Sequence, residues 1–198
     1  GEAVAMDDLD FFEIVIAGPT SGYAWQLGHR AANADAVADG DRMMVELNVA
    51  VPVDATGTVA FGAAAYRYLP YGAGRADSVA REWGGNPVIY AAIDGGDPMM
   101  PTEKVTQGQC DACHGELKLH GTFRREVQYC ATCHHDNATD AARRPDDGSD
   151  PATIDFGPMV HAIHAGAHLE NPPVIYGFGG TAHDYSNVHY PGDLSNCG

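Results

Sequence analysis

The chain has 198 residues, enough for one ordinary domain or two small ones, and its apolar content is that of a folded protein, so disorder is not the default. Twenty-seven acidic residues against 11 basic ones give a formal charge of −16, with Lys104 and Lys118 the only lysines; no nucleic acid is expected as a partner, because a phosphate backbone needs a basic footprint. No apolar run approaches the ~18 residues of a membrane span, and so acidic a surface suits a protein kept soluble in salty water.

In chain order, the first residues, Gly1 to Asp8, have neither the basic nor the apolar stretch of a secretion signal, so localisation has to be argued from chemistry. Residues 1–103 contain no CxxC and read as strands separated by turn chemistry. Phe11 to Ala17 is rich in β-formers and ends at Gly18-Pro19. Arg42 to Pro52 partly alternates, with Val45, Leu47 and Val49 on one face. Thr56 to Phe61 and Ala65 to Leu69 follow as separate strands, the second closed by Pro70 to Gly74, and Pro87 to Ala91 is a further short one. This spacing predicts a small antiparallel sandwich or barrel. The pairs Met43-Met44 and Met99-Met100 read as core filler or loop residues, not ligands.

Residues 104–198 form a second region. From Gln107 onward Cys, His, Gly, Asp and Pro dominate, and the segment is too poor in apolar runs to build a hydrophobic core of its own. Met159 to Ala165 is its clearest helix, preceded by Asp155 to Pro158 and stopped near Gly166. Asp146 to Asp150 lacks the alternating ligands and distal Glu of a calcium loop and is read as solvated.

Four of the five cysteines form Cys110-Asp-Ala-Cys113-His114 and Cys130-Ala-Thr-Cys133-His134. The sequence CxxCH attaches haem c: two thiols add across the vinyl groups and the adjacent His lies under the iron as proximal ligand. The rival is a four-cysteine zinc ribbon, since 16 residues separate Cys113 from Cys130. The His after each pair decides for haem, because a ribbon needs neither. Histidine is 10 of 198 residues, so chance would put it after both pairs about 0.25% of the time. Cys197 stands next to the end of the sequence, where a third CxxCH can begin.

Further histidines supply second axial ligands. His161 and His164 are three residues apart on the expected helix and so share one face, their Cβ atoms roughly 5–6 Å apart. Two ligands of one iron approach from opposite sides of the ring, so these two would serve different irons and hold two haems close together. His120, six residues after His114, would have to pass around the macrocycle edge to cap that haem, and it is read as ligating a different one. His135 is a bystander of His134, and His29, His168, His183 and His189 are left without a role.

At these residues the chain resembles the OmcA/MtrC family of outer-membrane multihaem cytochromes. The resemblance lies in Gln109 to Gly121, Arg125 to His134, Ile154 to Gly166 and Val188 to Cys197. It implies that His120, His161 and His164 are distal ligands, that Cys197 opens a further attachment motif, and that a split-barrel β domain precedes a largely irregular, haem-packed cytochrome domain with short helices. It also implies other multihaem cytochromes or an outer-membrane electron conduit as partners, with possible self-association, and an external electron acceptor. The expected function is electron transfer outside the cytoplasm, at the cell surface or in the periplasm, toward metal oxides or other external acceptors. Irons saturated by two imidazoles leave no open position, so no bond-making catalysis is expected. The alternatives are a multihaem oxyanion reductase subunit and a zinc-ribbon interaction module.

Overall fold

The computed structural model of the chain describes residues 5–30, 36–39, 42–70 and 79–193. Among them are strands β1 (Phe11–Gly18), β2 (Trp25–Arg30), β3 (Ala36–Asp39), β4 (Arg42–Val45), β5 (Thr58–Pro70), β6 (Val79–Trp83) and β7 (Val88–Ala92). Helices α1 (Gln107–His114), α2 (Val127–Cys133) and α3 (Phe156–Ala165) follow, then strands β8 (Val174–Tyr176) and β9 (Ala182–Asp184). The chain divides into two compact units, residues 1–132 and 133–198. The division falls inside the second CxxCH motif, later than the change of composition at 103/104.

The first unit is built on an antiparallel sheet ordered β2-β1-β5-β6, with β7 pairing the first half of β5. The two strands expected at 56–61 and 65–69 are one 13-residue strand. Gly62, Ala63 and Ala64 do not interrupt it, because they stand opposite Val15, Ile14 and Glu13 of β1 in an unbroken ladder. Small residues are needed there: a Cβ on Gly62 would lie 2.7 Å from Cδ2 of Tyr129, so the ring of α2 rests directly on the β5 backbone. The strand expected over Arg42 to Pro52 is shorter for a similar reason of pairing. The β3 ladder sets Ala36 opposite Val45, and among the described residues no strand pairs with the chain beyond Val45.

The core lies where β1 and β5 cross the middle of the sheet. Val15, Ile16, Ala17, Val59, Ala60 and Ala64 are buried, and Tyr23, Val88, Tyr90 and Ala131 pack around Ala17 and Ala60. Helix α2 belongs to this core, with Val127, Tyr129, Cys130 and Thr132 all buried. Met44, Met99 and Met100 are exposed, so they are not core filler, while the Met43 side chain lies outside the described residues.

The second unit contains α3 as expected, extended by a turn of 3-10 helix over Gly166–His168, and the β8–β9 hairpin. Its only buried hydrophobic side chains among the described residues are Ala138 and Ile175. Among the described residues no helix is long and apolar enough to cross a membrane.

Candidate functional site

Helix α1 presents the first CxxCH. Thr106 caps it: its hydroxyl accepts the Gln109 N–H at 3.4 Å while Gln109 Oε1 accepts the Thr106 N–H at 2.7 Å. At the other end the Gly115 N–H donates to the Asp111 carbonyl at 2.8 Å, and Asp111 Oδ1 accepts the Leu117 N–H at 2.8 Å. Gln107 ties the starts of the two cysteine-bearing helices together. Its Nε2 donates to the Asp111 carboxylate at 3.1 Å and its Oε1 accepts the first N–H of α2, from Val127, at 2.9 Å. Helix α1 buries no side chain: Cys110 is half-buried, and Cys113 and His114 are exposed. Burial, and then the charge of Asp111, push the Cys110 thiol above its ordinary value, so it stays protonated at neutral pH.

The second motif is set differently. Arg125, two residues before α2, stacks its guanidinium 3.7 Å from the Trp83 ring centroid and donates through Nε to the Thr122 carbonyl at 2.8 Å. Asn86, 2% exposed, accepts the Arg125 N–H at 2.8 Å and donates to the Phe123 carbonyl at 3.1 Å, standing in for a strand partner. In α2 itself Tyr129 is wedged on Gly62 with its hydroxyl 3.3 Å from Glu13, and Glu13 is paired with Arg124 at 2.5 Å. Cys130 is thereby buried in the first unit, and Cys133 is half-buried. His134 Nδ1 lies 2.8 Å from the Ile154 carbonyl. A carbonyl can only accept, so Nδ1 carries a proton, as it does in a histidine that ligates a metal through Nε2.

His164 shows the same arrangement. Its Nδ1 lies 2.9 Å from the Val160 carbonyl one turn earlier on α3, and the Tyr190 ring meets it edge-on at 5.4 Å. His161, on the preceding turn, is exposed. His120 sits in a tight turn closed by Leu119 and Arg124, with φ +50°, followed by Gly121 at +79° and Thr122 at +82°. His135 Nδ1 is taken up by the Asp136 carbonyl at 3.0 Å, and the His168 and His189 rings meet at 6.2 Å. Cys197 lies outside the described residues.

What frames the second unit is a polar node that sequence reading did not single out. Asp140, 2% exposed, accepts from Arg144 Nε at 3.1 Å and Nη2 at 2.9 Å, and from the N–H groups of Ala152 at 2.8 Å and Tyr176 at 2.9 Å. Burial works to raise its pKa, but the bonds from Arg144, Tyr176 and Ala152 outweigh that and hold the carboxyl below its ordinary value. Arg144 also donates to the Val174 carbonyl at 2.8 Å and lies 4.7 Å from the Tyr176 ring centroid. These partners are 12 to 36 positions apart from Asp140 or close by on one turn, and nothing in local sequence pattern announces such pairings. The same holds for Gln107, Asn86 and Arg125.

The donor set suits haem c better than zinc. Among the described residues no three Cys, His, Asp or Glu side chains gather as a metal cluster, whereas a ribbon requires its cysteines to converge. A unit of 66 residues with two buried apolar side chains among the described residues has little core of its own, and a large apolar prosthetic group would supply what the side chains do not.

Residues 102–198 match the family of outer membrane cytochromes described as MtrC/MtrF-like, domains II/IV. The chain is also similar in fold to the crystal structure of MtrC from Shewanella baltica OS185, with a TM-score of 0.53 and 12% identity over 81% of this chain and 32% of that one. It therefore spans about a third of the length of that structure. No curated protein matches it in sequence. Residues 102–198, which carry both complete CxxCH motifs and the histidines of α3, thus belong to the MtrC/MtrF-like outer membrane cytochromes, the OmcA/MtrC family.

Proposed function

We propose that the chain is part of a multihaem c-type cytochrome that carries electrons to an external acceptor such as a ferric or manganic mineral. The observation that carries this reading is the orientation of two candidate ligands: His134 and His164, both inside the family match, each have Nδ1 held by a backbone carbonyl, the kind of bond that orients a metal-ligating histidine. Haem c, when bound, supplies a one-electron iron couple. Cys110 and Cys113 hold one such group with His114 as proximal ligand, and Cys130 and Cys133 hold a second with His134. Cys197 opens a third site. His120, His161 and His164 serve as distal ligands, so each iron is closed to substrate and the protein relays electrons without making bonds. Membership of an outer membrane cytochrome family puts the chain outside the cytoplasm. Its partners are other multihaem cytochromes of an outer-membrane conduit, or further copies of itself, together with the external acceptor.

Intact-mass measurement on the denatured natural protein tests the reading. One covalent haem per complete CxxCH is expected. A colourless protein without covalent haem, and with bound zinc, refutes it in favour of the ribbon. Carbon monoxide or nitrite binding to the reduced wild-type protein would instead show an open iron and favour an oxyanion reductase.

A further inference from the structure

The turn that carries His120 is gripped by a side chain from another element. Arg81, in β6, stands opposite Tyr68 in the sheet register, donates to the Tyr68 hydroxyl from Nη2 at 2.8 Å, and lays its guanidinium 4.4 Å from the Tyr66 ring centroid. From Nη1 it donates to the carbonyl of Gly121, the residue next to His120. The grip is close: a Cβ on Gly121 would meet Arg81 Nη1 at 2.9 Å, and with φ +79° this position suits only glycine. His120 itself holds a left-handed conformation that residues with a Cβ adopt at a cost, so the turn needs outside support. The Tyr66 ring that seats Arg81 is itself fixed, stacked on Phe11 at 5.1 Å and edge-on to Phe123 at 5.0 Å. Phe123 belongs to the same turn as His120.

We propose that Arg81 is a positioning residue for His120: by tying the Gly121 carbonyl to the aromatic face of β5 and β6 it fixes the direction in which the imidazole is presented to an iron. This rests on the reading of His120 as a distal ligand. The geometry favours it over a purely stabilising role because the bond falls on the carbonyl of the residue next to the ligand, while Asn86 and Arg125 already anchor the turn farther along, at Phe123 and Thr122.

The experiment uses the haem-loaded protein and three variants, Arg81→Met, Arg81→Lys and His120→Ala. The readouts are spin counting by electron paramagnetic resonance and cyanide binding to the oxidised haems. His120→Ala converts one haem from low-spin to high-spin or water-ligated. In Arg81→Met that same haem binds cyanide faster by roughly tenfold, the worth of about one hydrogen bond, with covalent haem content unchanged, and Arg81→Lys recovers part of the difference. Should Arg81→Met fail to fold, the Lys variant carries the test, since its single nitrogen cannot replace the Nη1 and Nη2 fork and still leaves exchange at that haem alone faster than in wild type. If His120→Ala converts one haem while both Arg81 variants exchange as wild type does, the positioning role is wrong and the ligand assignment stands. If His120→Ala leaves every haem low-spin, the ligand assignment itself fails and the positioning role with it.

Discussion

Replacing Asp140 by Asn is the sharpest probe of how the second unit is held. The carboxylate accepts four hydrogen bonds at 2.8–3.1 Å while being 2% exposed. The carboxamide keeps one acceptor oxygen and turns an NH2 group toward donors, so at least one of Arg144 and the Tyr176 N–H faces a donor in place of an acceptor. Breaking a buried charged pair by changing one member costs about 3–5 kcal/mol, and the unpaired backbone N–H falls within that figure. Hydrogen exchange resolved along the chain is the assay. The amides of Ala152 and Tyr176 should exchange roughly two hundredfold to five thousandfold faster, at 1.36 kcal/mol per decade, while the strands β1 and β5 keep their protection. The pH dependence has a definite sign. Because the folded carboxyl lies below its ordinary value, its contribution is present above the unfolded pKa and is lost as pH falls through the folded one. Wild type should therefore lose protection at Ala152 and Tyr176 below about pH 4, and the Asn variant should show no such acid limb. Equal protection in the two proteins at neutral pH would refute the claim that this node holds the unit.

In His161→Ala and His164→Ala, each single variant should convert one haem from low-spin to high-spin or water-ligated and the double variant two, with every covalent attachment intact; an unchanged low-spin spectrum in the double variant would show that α3 carries no ligand. For Gly62→Ala, a methyl group 2.7 Å from Cδ2 of Tyr129 overpacks the core and should lower stability by about 1–3 kcal/mol in urea unfolding followed by circular dichroism. A midpoint within error of wild type would mean that the α2 ring has room to move.

The parts of this chain legible in its sequence are those set by local chemistry. β1 was legible from its run of β-formers, and α3 from the lead-in at Asp155 to Pro158 and the stop near Gly166. The CxxCH motifs were legible because thioether attachment fixes their spacing whatever the fold around them. The rest is set by partners distant in sequence. Gly62 looked like a strand break because its role depends on Tyr129, 67 positions away. Helices α1 and α2, of eight and seven residues, are too short for apolar periodicity to mark them. What marks α1 is Thr106 followed by Gln109, a capping box whose significance shows only once the helix is there.

The two attachment helices are held by different forces, and that difference follows from the sheet. Helix α2 has a template: Tyr129 sits on the bare backbone of β5, and Thr132 and Cys130 complete a buried face, so its frame stands on protein contacts alone. Helix α1 buries nothing, and hydrogen bonds at its ends and the Gln107 bridge to Val127 are what hold it. Bonds of this kind are each worth only about 1 kcal/mol net, against a backbone ordering cost of about 1–2 kcal/mol per residue. A helix of eight residues on such terms needs a further surface to lie against. On the proposed reading a macrocycle attached to Cys110 and Cys113 would be that surface, so attachment would complete the fold at α1, whereas at α2 protein contacts already frame the motif.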